Sequence, residues 1–216
     1  MVVCGTGAAT GARGPDGRTW HTSFWQEPQG GHELGVRALR AIYRADLGID
    51  PPTLLTERVL AATGEPSVES LLHLASGREV AQRLDPAELA WIVLEAADAR
   101  DAAAATIVSQ QGVELGRTAL AAARRVGIEP TDPFGLALAG GVLRHPGSGL
   151  REAIARTVLD GAPRVELLGP PPEPAAGALL LAFDAARIAV DGSVLDRIRF
   201  GLESVDLFDT HPARAS

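Results

Sequence analysis

Apolar and polar positions change their spacing along the chain, and the change divides it into elements. Residues 1–5 are mostly apolar and end in glycine, which predicts a short buried strand. Two extended runs follow, joined by Gly14-Pro15-Asp16-Gly17, and this turn sequence predicts a β-hairpin. From His32 onward the apolar residues recur at helical spacing, so residues 31–47 are predicted to form an amphipathic helix.

The middle of the chain is predicted to be helical throughout. Thr53 follows a pair of prolines and can cap the second helix. Asp85 precedes a proline and is predicted to cap a helix that runs to about Arg100. Asp101 is predicted to restart a helix that runs to Val126, where a glycine ends it.

Strands return after this helical middle. The apolar run FGLALAGGVL, residues 134–143, predicts a fully buried strand that meets a glycine pair and then turns into a helix. Ser148 is predicted to cap a helix to about Leu159, and residues 164–168 to form a short strand. Helices are predicted at 175–187 and 193–203. Because strands alternate with helices, the fold class is α/β.

Composition excludes several classes of function. The 216 residues can bury a core as one large domain or two small ones. The net charge of −7, without a basic block, argues against nucleic-acid and anionic-membrane binding. The single Cys4 excludes an intramolecular disulfide and any cysteine-rich zinc or iron–sulfur site made by one chain. No apolar run approaches bilayer length, and the expected location is the cytoplasm.

The opening glycines suggest a loop that a phosphate can approach. A lysine-dependent phosphate loop is excluded, because the sequence lacks G-x-x-x-x-G-K-[ST] and all its cationic side chains are arginines. A dinucleotide fingerprint fits poorly, because the spacing of Gly5, Gly7 and Gly11 is wrong and a hairpin follows. Two interpretations stay open: the glycines permit a tight hairpin, or backbone N–H groups and the Thr6 hydroxyl clamp a phosphate.

A second glycine site strengthens the phosphate interpretation. A strand that ends at Gly140-Gly141 exposes N–H groups and offers no Cβ, so an adenosine can lie against it. A helical segment separates the two loops in the sequence, but folding can bring them together. Two such loops indicate a nucleotide-binding site more specifically than either loop alone.

These segments resemble a known family. VVCGTGAATGARGPDGRT is similar to the second phosphate motif of N-acetylglucosamine kinases and BadF/BadG/BcrA/BcrD-type ATPases. GLALAGGVLR resembles that family's adenosine motif, and PPEPAAGALLLA its closing segment, so the resemblance runs to about residue 187. It implies the actin-like ATPase fold of the sugar kinase, heat-shock protein and actin superfamily, which has two ribonuclease-H-like lobes.

The resemblance also implies how the chain is divided. Residues 1–30 and 130–190 form a ribonuclease-H-like nucleotide-binding lobe, residues 31–129 a helical insertion, and 191–216 a C-terminal helix and tail. Full-length relatives carry an N-terminal lobe with a D-x-G-x-T loop and the aspartate base. This chain has neither motif, so it is expected to be the C-terminal half: a truncated gene product, a fragment or one half of a split protein.

The implied function is ATP-dependent phosphorylation of a sugar, with ATP and Mg²⁺ as cofactors. No catalytic residue and no metal ligand is assigned, and the isolated chain is expected to have negligible kinase activity. The alternatives are a non-catalytic nucleotide- or sugar-binding regulator and another BadF-type ATPase. An iron–sulfur activator of 2-hydroxyacyl-CoA dehydratases is unfavoured, because its two cysteines per subunit are missing.

The resemblance carries binding roles to individual residues. The nucleotide-binding residues it implies are Gly5, Thr6, Gly7, Gly112, Gly140, Gly141 and Arg144. The sugar-binding residues it implies are His21, Thr22 and Glu27. Three of these positions keep a plainer explanation: Gly112 can serve close helix packing, Arg144 can solvate a helix start, and Glu27 can be an exposed loop acid.

The expected partners are a sugar and either the missing lobe or a second copy of the chain. Residues 195–208 carry an apolar stripe that needs a covering surface, so this stripe is expected to be partly exposed, docked on a copy or poorly ordered.

Overall fold

The computed structural model describes residues 1–23, 29–77, 83–169 and 174–203. The chain forms two compact units, residues 1–168 and 169–216. No helix within the described ranges is long and apolar enough to cross a membrane. The lobe boundaries expected at residues 30, 130 and 190 stay a prediction.

A four-stranded mixed sheet opens the first unit. Its strands are β1 (Val2–Cys4), β2 (Ala8–Arg13), β3 (Thr19–His21) and β5 (Leu138–Ala139), in the order β3-β2-β1-β5. β1 pairs with β2, and β2 with β3, in antiparallel fashion, whereas β5 runs parallel to β1. The predicted hairpin is confirmed. Its turn is closed by the Asp16 carboxylate, which accepts the N–H of Arg18 at 3.0 Å.

The described part of this unit contains six α-helices. They are α1 (Gly31–Asp46), α2 (Leu54–Thr63), α3 (Val68–Ser76), α4 (Ala90–Asp98), α5 (Ala102–Arg125) and α6 (Gly149–Gly161). The Thr53 and Asp101 caps are confirmed: Thr53 accepts the N–H of Leu55, and Asp101 that of Ala104. The core includes the apolar faces of these helices and Val2 and Cys4 of β1.

The Asp101 carboxylate caps two helices at once. Besides the N–H of Ala104 at 2.8 Å, it accepts the N–H of Leu54 at 2.9 Å and the hydroxyl of Thr53 at 2.8 Å. The start of α2 is therefore tied to the start of α5. Burial raises the pKa of Asp101, but these hydrogen bonds outweigh burial and leave the pKa below its usual value.

The predicted single strand at 134–143 is wrong. It divides into β4 (Phe134–Leu136), which pairs with β6 (Val165–Leu167) in a separate parallel sheet, and β5, which pairs with β1. Only Leu136 of these five strand residues is buried. Both segments are edge strands of small sheets, so neither is covered on all sides as a central parallel strand is.

Three smaller expectations also change. Asp85 caps one turn of 3₁₀ helix before α4, and α4 ends early because Arg100 adopts a left-handed conformation with φ 65°. Ser148 occupies the cap position of α6, but its side chain makes no capping hydrogen bond. The helix expected after the glycine pair is a single 3₁₀ turn at Val142–Arg144.

The second unit contains α7 (Pro174–Ala185) and α8 (Gly192–Glu203), close to the predicted helices. Leu195, in the predicted apolar stripe, is 36% exposed, as expected for a stripe that this unit leaves partly open. Val205 and Phe208, at the end of the stripe, lie outside the described residues.

Candidate functional site

The two glycine loops lie side by side at one edge of the sheet. The parallel register pairs Val3 with Ala139, so Gly140 lies beside Cys4 where both strands end. Gly140 has φ 103°, and a Cβ at this position would collide with the Cys4 backbone. The prediction that folding brings the loops together is confirmed. We call the Gly5–Gly7 loop together with Gly140 and Gly141 the glycine cradle.

The N-terminus of α1 fixes the orientation of the first loop. The N–H of Gly31 donates to the carbonyl of Gly5 at 2.7 Å, and the N–H of His32 donates to the carbonyl of Thr6 at 2.9 Å. These are helix-start donors that have no partner inside the helix. Both carbonyls therefore face α1.

The opposite face of this loop presents backbone donors. The structure contains no cis peptide bond among the described residues, so each N–H points away from the carbonyl of the same peptide. Because the carbonyls of Gly5 and Thr6 face α1, the N–H groups of Thr6 and Gly7 point away from it. Neither N–H donates to an acceptor in the described part of the chain, and both residues are exposed. Two successive N–H groups on one side form an anion nest.

The predicted clamp needs one correction. The N–H of Gly5 donates to the carbonyl of Gly7 at 2.8 Å and closes the turn between β1 and β2, so this N–H is not available to a phosphate. Gly5 supplies conformation and open space, since nothing lies within 4 Å of a Cβ built there. The donors are Thr6 and Gly7.

Gly30 and Gly31 belong to the site, although the sequence reasoning did not single them out. A Cβ on Gly30 would collide with the backbone of Thr6 and Gly7, and one on Gly31 would come within 3.2 Å of Val142. The close approach of α1 to the first loop therefore requires Gly30, and Gly31 is tightly enclosed between this loop and the 3₁₀ turn. A glycine pair directly before an amphipathic helix was the signal that could have revealed it.

Gln111 is a second residue that the sequence did not reveal. It is buried on α5, and its amide nitrogen donates to the carbonyls of Gln29 and Gly30. Its Oε1 is buried without a partner in the described residues. Gln111 thus fixes the segment that leads into α1, and the pair Gln110-Gln111 in an alanine-rich helix gives no sequence signal for this contact.

Arg151 holds the loop that follows the glycine pair. Its guanidinium donates to the carbonyls of Leu143 at 2.8 Å, His145 at 2.5 Å and Pro146 at 3.2 Å. His145 is buried against Trp91, and its Nδ1 accepts the N–H of Gly147 at 3.0 Å. Burial lowers the pKa of His145, so the neutral imidazole is the form that this loop stabilises.

We expect Arg151→Gln to destabilise the first unit by about 2 kcal/mol, because three carbonyls lose a charged donor and glutamine replaces one at most. Guanidinium denaturation of the full chain measures the change. Arg156→Gln, an exposed arginine on the same helix, is the matched control and should stay within about 0.5 kcal/mol of the parent. Equal effects of the two substitutions would contradict the loop-holding role.

Two of the remaining predicted binding residues, Gly112 and Thr22, make contacts within the protein. Gly112 is buried and packs against α6, where a Cβ would collide with Ala153, so helix packing explains it without a nucleotide. Thr22 forms two hydrogen bonds with Thr10. The N–H of Thr10 donates to the Thr22 hydroxyl at 2.9 Å, and the N–H of Thr22 donates to the carbonyl of Thr10 at 2.9 Å. Glu27 lies outside the described residues.

Two further residues stay binding predictions. His21 is exposed at the end of β3, and Arg144 is exposed at the end of the 3₁₀ turn after the glycine pair. The backbone N–H of Arg144 donates to the carbonyl of Gly140 at 3.1 Å.

The donors that the cradle itself offers are backbone N–H groups. Burial raises the pKa of the Cys4 thiol beneath it to about 12, so the thiol is neutral and not a nucleophile. The described residues contain no group of three His, Cys, Asp or Glu side chains that could hold a metal ion.

The fold and the cradle define an α/β protein with a candidate anion-binding edge where a hairpin and a parallel strand end together. This location agrees with the rule that ligands bind beyond the carboxyl ends of strands in α/β sheets.

Two known proteins are similar to this chain. A curated N-acetyl-D-glucosamine kinase from Dictyostelium discoideum is 22% identical over 191 residues, which cover 87% of this chain and 60% of that protein. A crystal structure of a protein provisionally named N-acetylglucosamine kinase, from Chromobacterium violaceum, is 30% identical with a TM-score of 0.59. That match covers 83% of this chain and 57% of the other. No family model matches.

In sequence and fold the chain is related to N-acetylglucosamine kinases, and the resemblance seen in its motifs is confirmed. The α/β class is confirmed by the same structural match. The chain spans 60% of the length of the curated relative and 57% of the solved structure.

Proposed function

We propose that this chain is the nucleotide-binding lobe of an ATP-dependent sugar kinase of the N-acetylglucosamine type. The lobe is of the ribonuclease-H-like, actin-like ATPase kind, and the sugar is its phosphate acceptor. The similarity to two proteins named as N-acetylglucosamine kinases supports the reaction class.

One observation carries the proposal: the N–H groups of Thr6 and Gly7 both point away from α1, on a loop that continues from the strand beside Gly140. A nest of two N–H groups suits a terminal phosphate, and the Thr6 hydroxyl adds a third donor. The side-chain-free backbone at Gly140 and Gly141 directly follows the neighbouring strand β5. A nucleotide whose phosphates meet the hairpin and whose nucleoside lies along the glycine pair fits this arrangement.

The cofactors that the proposal implies are ATP and Mg²⁺. ATP supplies the phosphoryl group that is transferred. Mg²⁺ keeps several of its waters and binds mainly through substrate phosphates, so it does not need a cage of protein ligands. The role of this chain is to hold the phosphates by backbone donors and to exclude side chains from the path of the nucleotide.

We also propose that the chain works as one of two lobes. The match covers 60% of the curated relative, which leaves room for a second lobe that supplies the general base and completes the phosphate site. A positioned base contributes about 10²–10⁴-fold in rate. We therefore expect negligible kinase activity from the 216 residues alone.

Calorimetry with Mg-ATP on the full chain tests nucleotide binding. Thr6→Val removes one hydroxyl and keeps the backbone, and we expect it to weaken ATP binding by about fivefold, the value of one neutral hydrogen bond. Thr106→Val, on the exposed face of α5, is the control and should leave the affinity unchanged. Failure of the parent chain to bind Mg-ATP at millimolar concentration overturns the proposal.

Coupled ADP release with N-acetylglucosamine then tests catalysis. The chain is assayed alone and fused to the part of the Chromobacterium protein that its match does not cover. Activity that appears only in the fusion supports the two-lobe proposal. ATP binding without transfer in both forms favours the alternative, a lobe that binds nucleotide as a regulator or belongs to another BadF-type ATPase.

A further inference from the structure

A groove separate from the glycine cradle lies along α1. One face of α1 forms its wall, and α3 and the segment that leads into the 3₁₀ turn at Pro86 form the rest; its volume is about 480 Å³. Leu39, Leu72 and Leu84 line it together with other apolar residues. This size and this apolar lining are typical of small-molecule sites.

Cationic side chains border the apolar lining of the groove. Three arginines of a chain whose net charge is −7 line this one groove, and they are Arg40, Arg44 and Arg83. Arg44 is neutralised by a two-pronged contact with Asp50, at 2.6 and 3.0 Å. Arg40 and Arg83 are exposed and make no ion pair within the described residues. Among the described residues that line it, the groove therefore has an excess of positive charge.

The other ionisable groups at the groove do not cancel this excess. His32 lies 3.5 Å from Asp85, and the Asp85 carboxylate also accepts the N–H of Ala87 at 2.9 Å. The Asp85 carboxylate is therefore engaged at the far end of the groove, as Asp50 is engaged with Arg44.

Tyr43 adds an unsatisfied polar group to the wall. Its ring lines the groove, and its hydroxyl oxygen is buried without a hydrogen-bond partner in the described part of the chain. A buried hydroxyl without a partner is destabilising, so it points to an acceptor that the described residues do not supply.

We propose that this groove binds a small organic anion, an apolar body that carries a phosphate or a carboxylate. Arg40 and Arg83 hold the anionic group, the leucines pack against the apolar body, and Tyr43 offers its hydroxyl to a polar atom. Every residue named in this proposal is a described residue; residues 78–82 lie outside the described residues. It does not depend on the nucleotide site, because none of its lining residues belongs to the glycine cradle.

The test is calorimetry of the full chain with 1-naphthyl phosphate, which combines an aromatic body with a phosphate. Inorganic phosphate and 1-naphthol, the two halves of this probe, are measured separately. We expect saturable one-to-one binding of the whole probe and weaker binding of each half. Arg40→Gln and Arg83→Gln should each weaken binding by about tenfold, the value of a charged hydrogen bond.

Two further variants separate a ligand role from a structural one. Arg156→Gln, an exposed arginine on α6, should leave probe binding unchanged. Tyr43→Phe should weaken the probe about fivefold while the ligand-free chain stays as stable as the parent or becomes more stable, since a buried unpaired hydroxyl is removed.

Three outcomes overturn the proposal. The first is the absence of saturable binding by 1-naphthyl phosphate. The second is equal weakening in Arg40→Gln, Arg83→Gln and Arg156→Gln, which indicates only general charge attraction. The third is displacement of the probe by Mg-ATP together with insensitivity to both groove arginines, which places the probe in the glycine cradle. None of these outcomes depends on whether the chain is a kinase.

Discussion

Replacing Gly140 by alanine is expected to destabilise the first unit by about 4 kcal/mol, as the sum of two effects of comparable size. Gly140 has φ 103°, a conformation that L side chains rarely adopt. The new Cβ would also collide with the carbonyl oxygen of Cys4 on the neighbouring strand. Since a domain of this kind is stable by only about 5–15 kcal/mol, much of its stability is lost.

Guanidinium denaturation followed by circular dichroism measures this loss, and calorimetry measures the ATP affinity. The affinity should fall as well, because β5 can relieve the collision only by moving away from β1 and opening the cradle. Gly11→Ala in β2 is the matched control. Its Cβ would meet the carbonyl of Trp20 at 3.7 Å, an ordinary contact, so its stability should stay within about 1 kcal/mol of the parent. If Gly140→Ala unfolds at the same denaturant concentration as Gly11→Ala, the described packing of β5 on β1 is incorrect.

Removal of the Asp101 carboxylate is the second large effect. Asp101→Ala leaves the N–H groups of Leu54 and Ala104 and the hydroxyl of Thr53 without their acceptor. Because two helix starts lose a cap in a buried position, we expect a loss of about 3 kcal/mol. Asp85→Ala is the control: Asp85 is exposed and caps a single 3₁₀ turn, so about 1 kcal/mol or less is expected.

The contribution of Asp101 should disappear in acid. Its pKa in the folded chain lies below the value of about 3.9 expected when it is unfolded. The unfolded chain therefore binds this proton first, and the stabilisation is complete above about pH 4 to 5 and is lost as the pH falls further. The difference in unfolding free energy between the parent and Asp101→Asn should thus be largest at neutral pH and shrink toward pH 3. A difference that does not depend on pH would contradict the role of the ionised carboxylate.

Local signals in the sequence were sufficient for most of the secondary structure. The turn at Gly14–Gly17 and the caps at Thr53 and Asp101 depend on neighbouring residues only, and these predictions are confirmed. The run 134–143 could not be divided correctly from local pattern, since the change at Ala137 from one sheet to another depends on which strands lie alongside. The second role of Asp101, toward Leu54, depends on contact between residues 47 positions apart.

The candidate site could also be predicted only in part from local sequence. Glycines in the two loops were visible in the sequence, and their meeting followed from the family resemblance. The direction of the Thr6 and Gly7 N–H groups was not visible, because it is set by hydrogen bonds from Gly31 and His32 at the start of α1. The Gln111 contact with Gly30 is likewise invisible to any local pattern, because it spans 81 positions. Long-range backbone contacts, rather than residue types, complete the cradle.

The position of Cys4 allows local opening at the edge of the sheet to be measured by alkylation of this residue. Cys4 is the single cysteine of the chain, lies at the end of the central strand, and is completely shielded from solvent. The Sγ of Cys4 donates to the carbonyl of Gln29 at 3.7 Å. With a pKa of about 12 and no access to solvent, the thiol can react with an alkylating reagent only when the segment that leads into α1 moves off this face of the sheet. The rate of labelling therefore measures how often the segment before α1 opens over β1, without any engineered label.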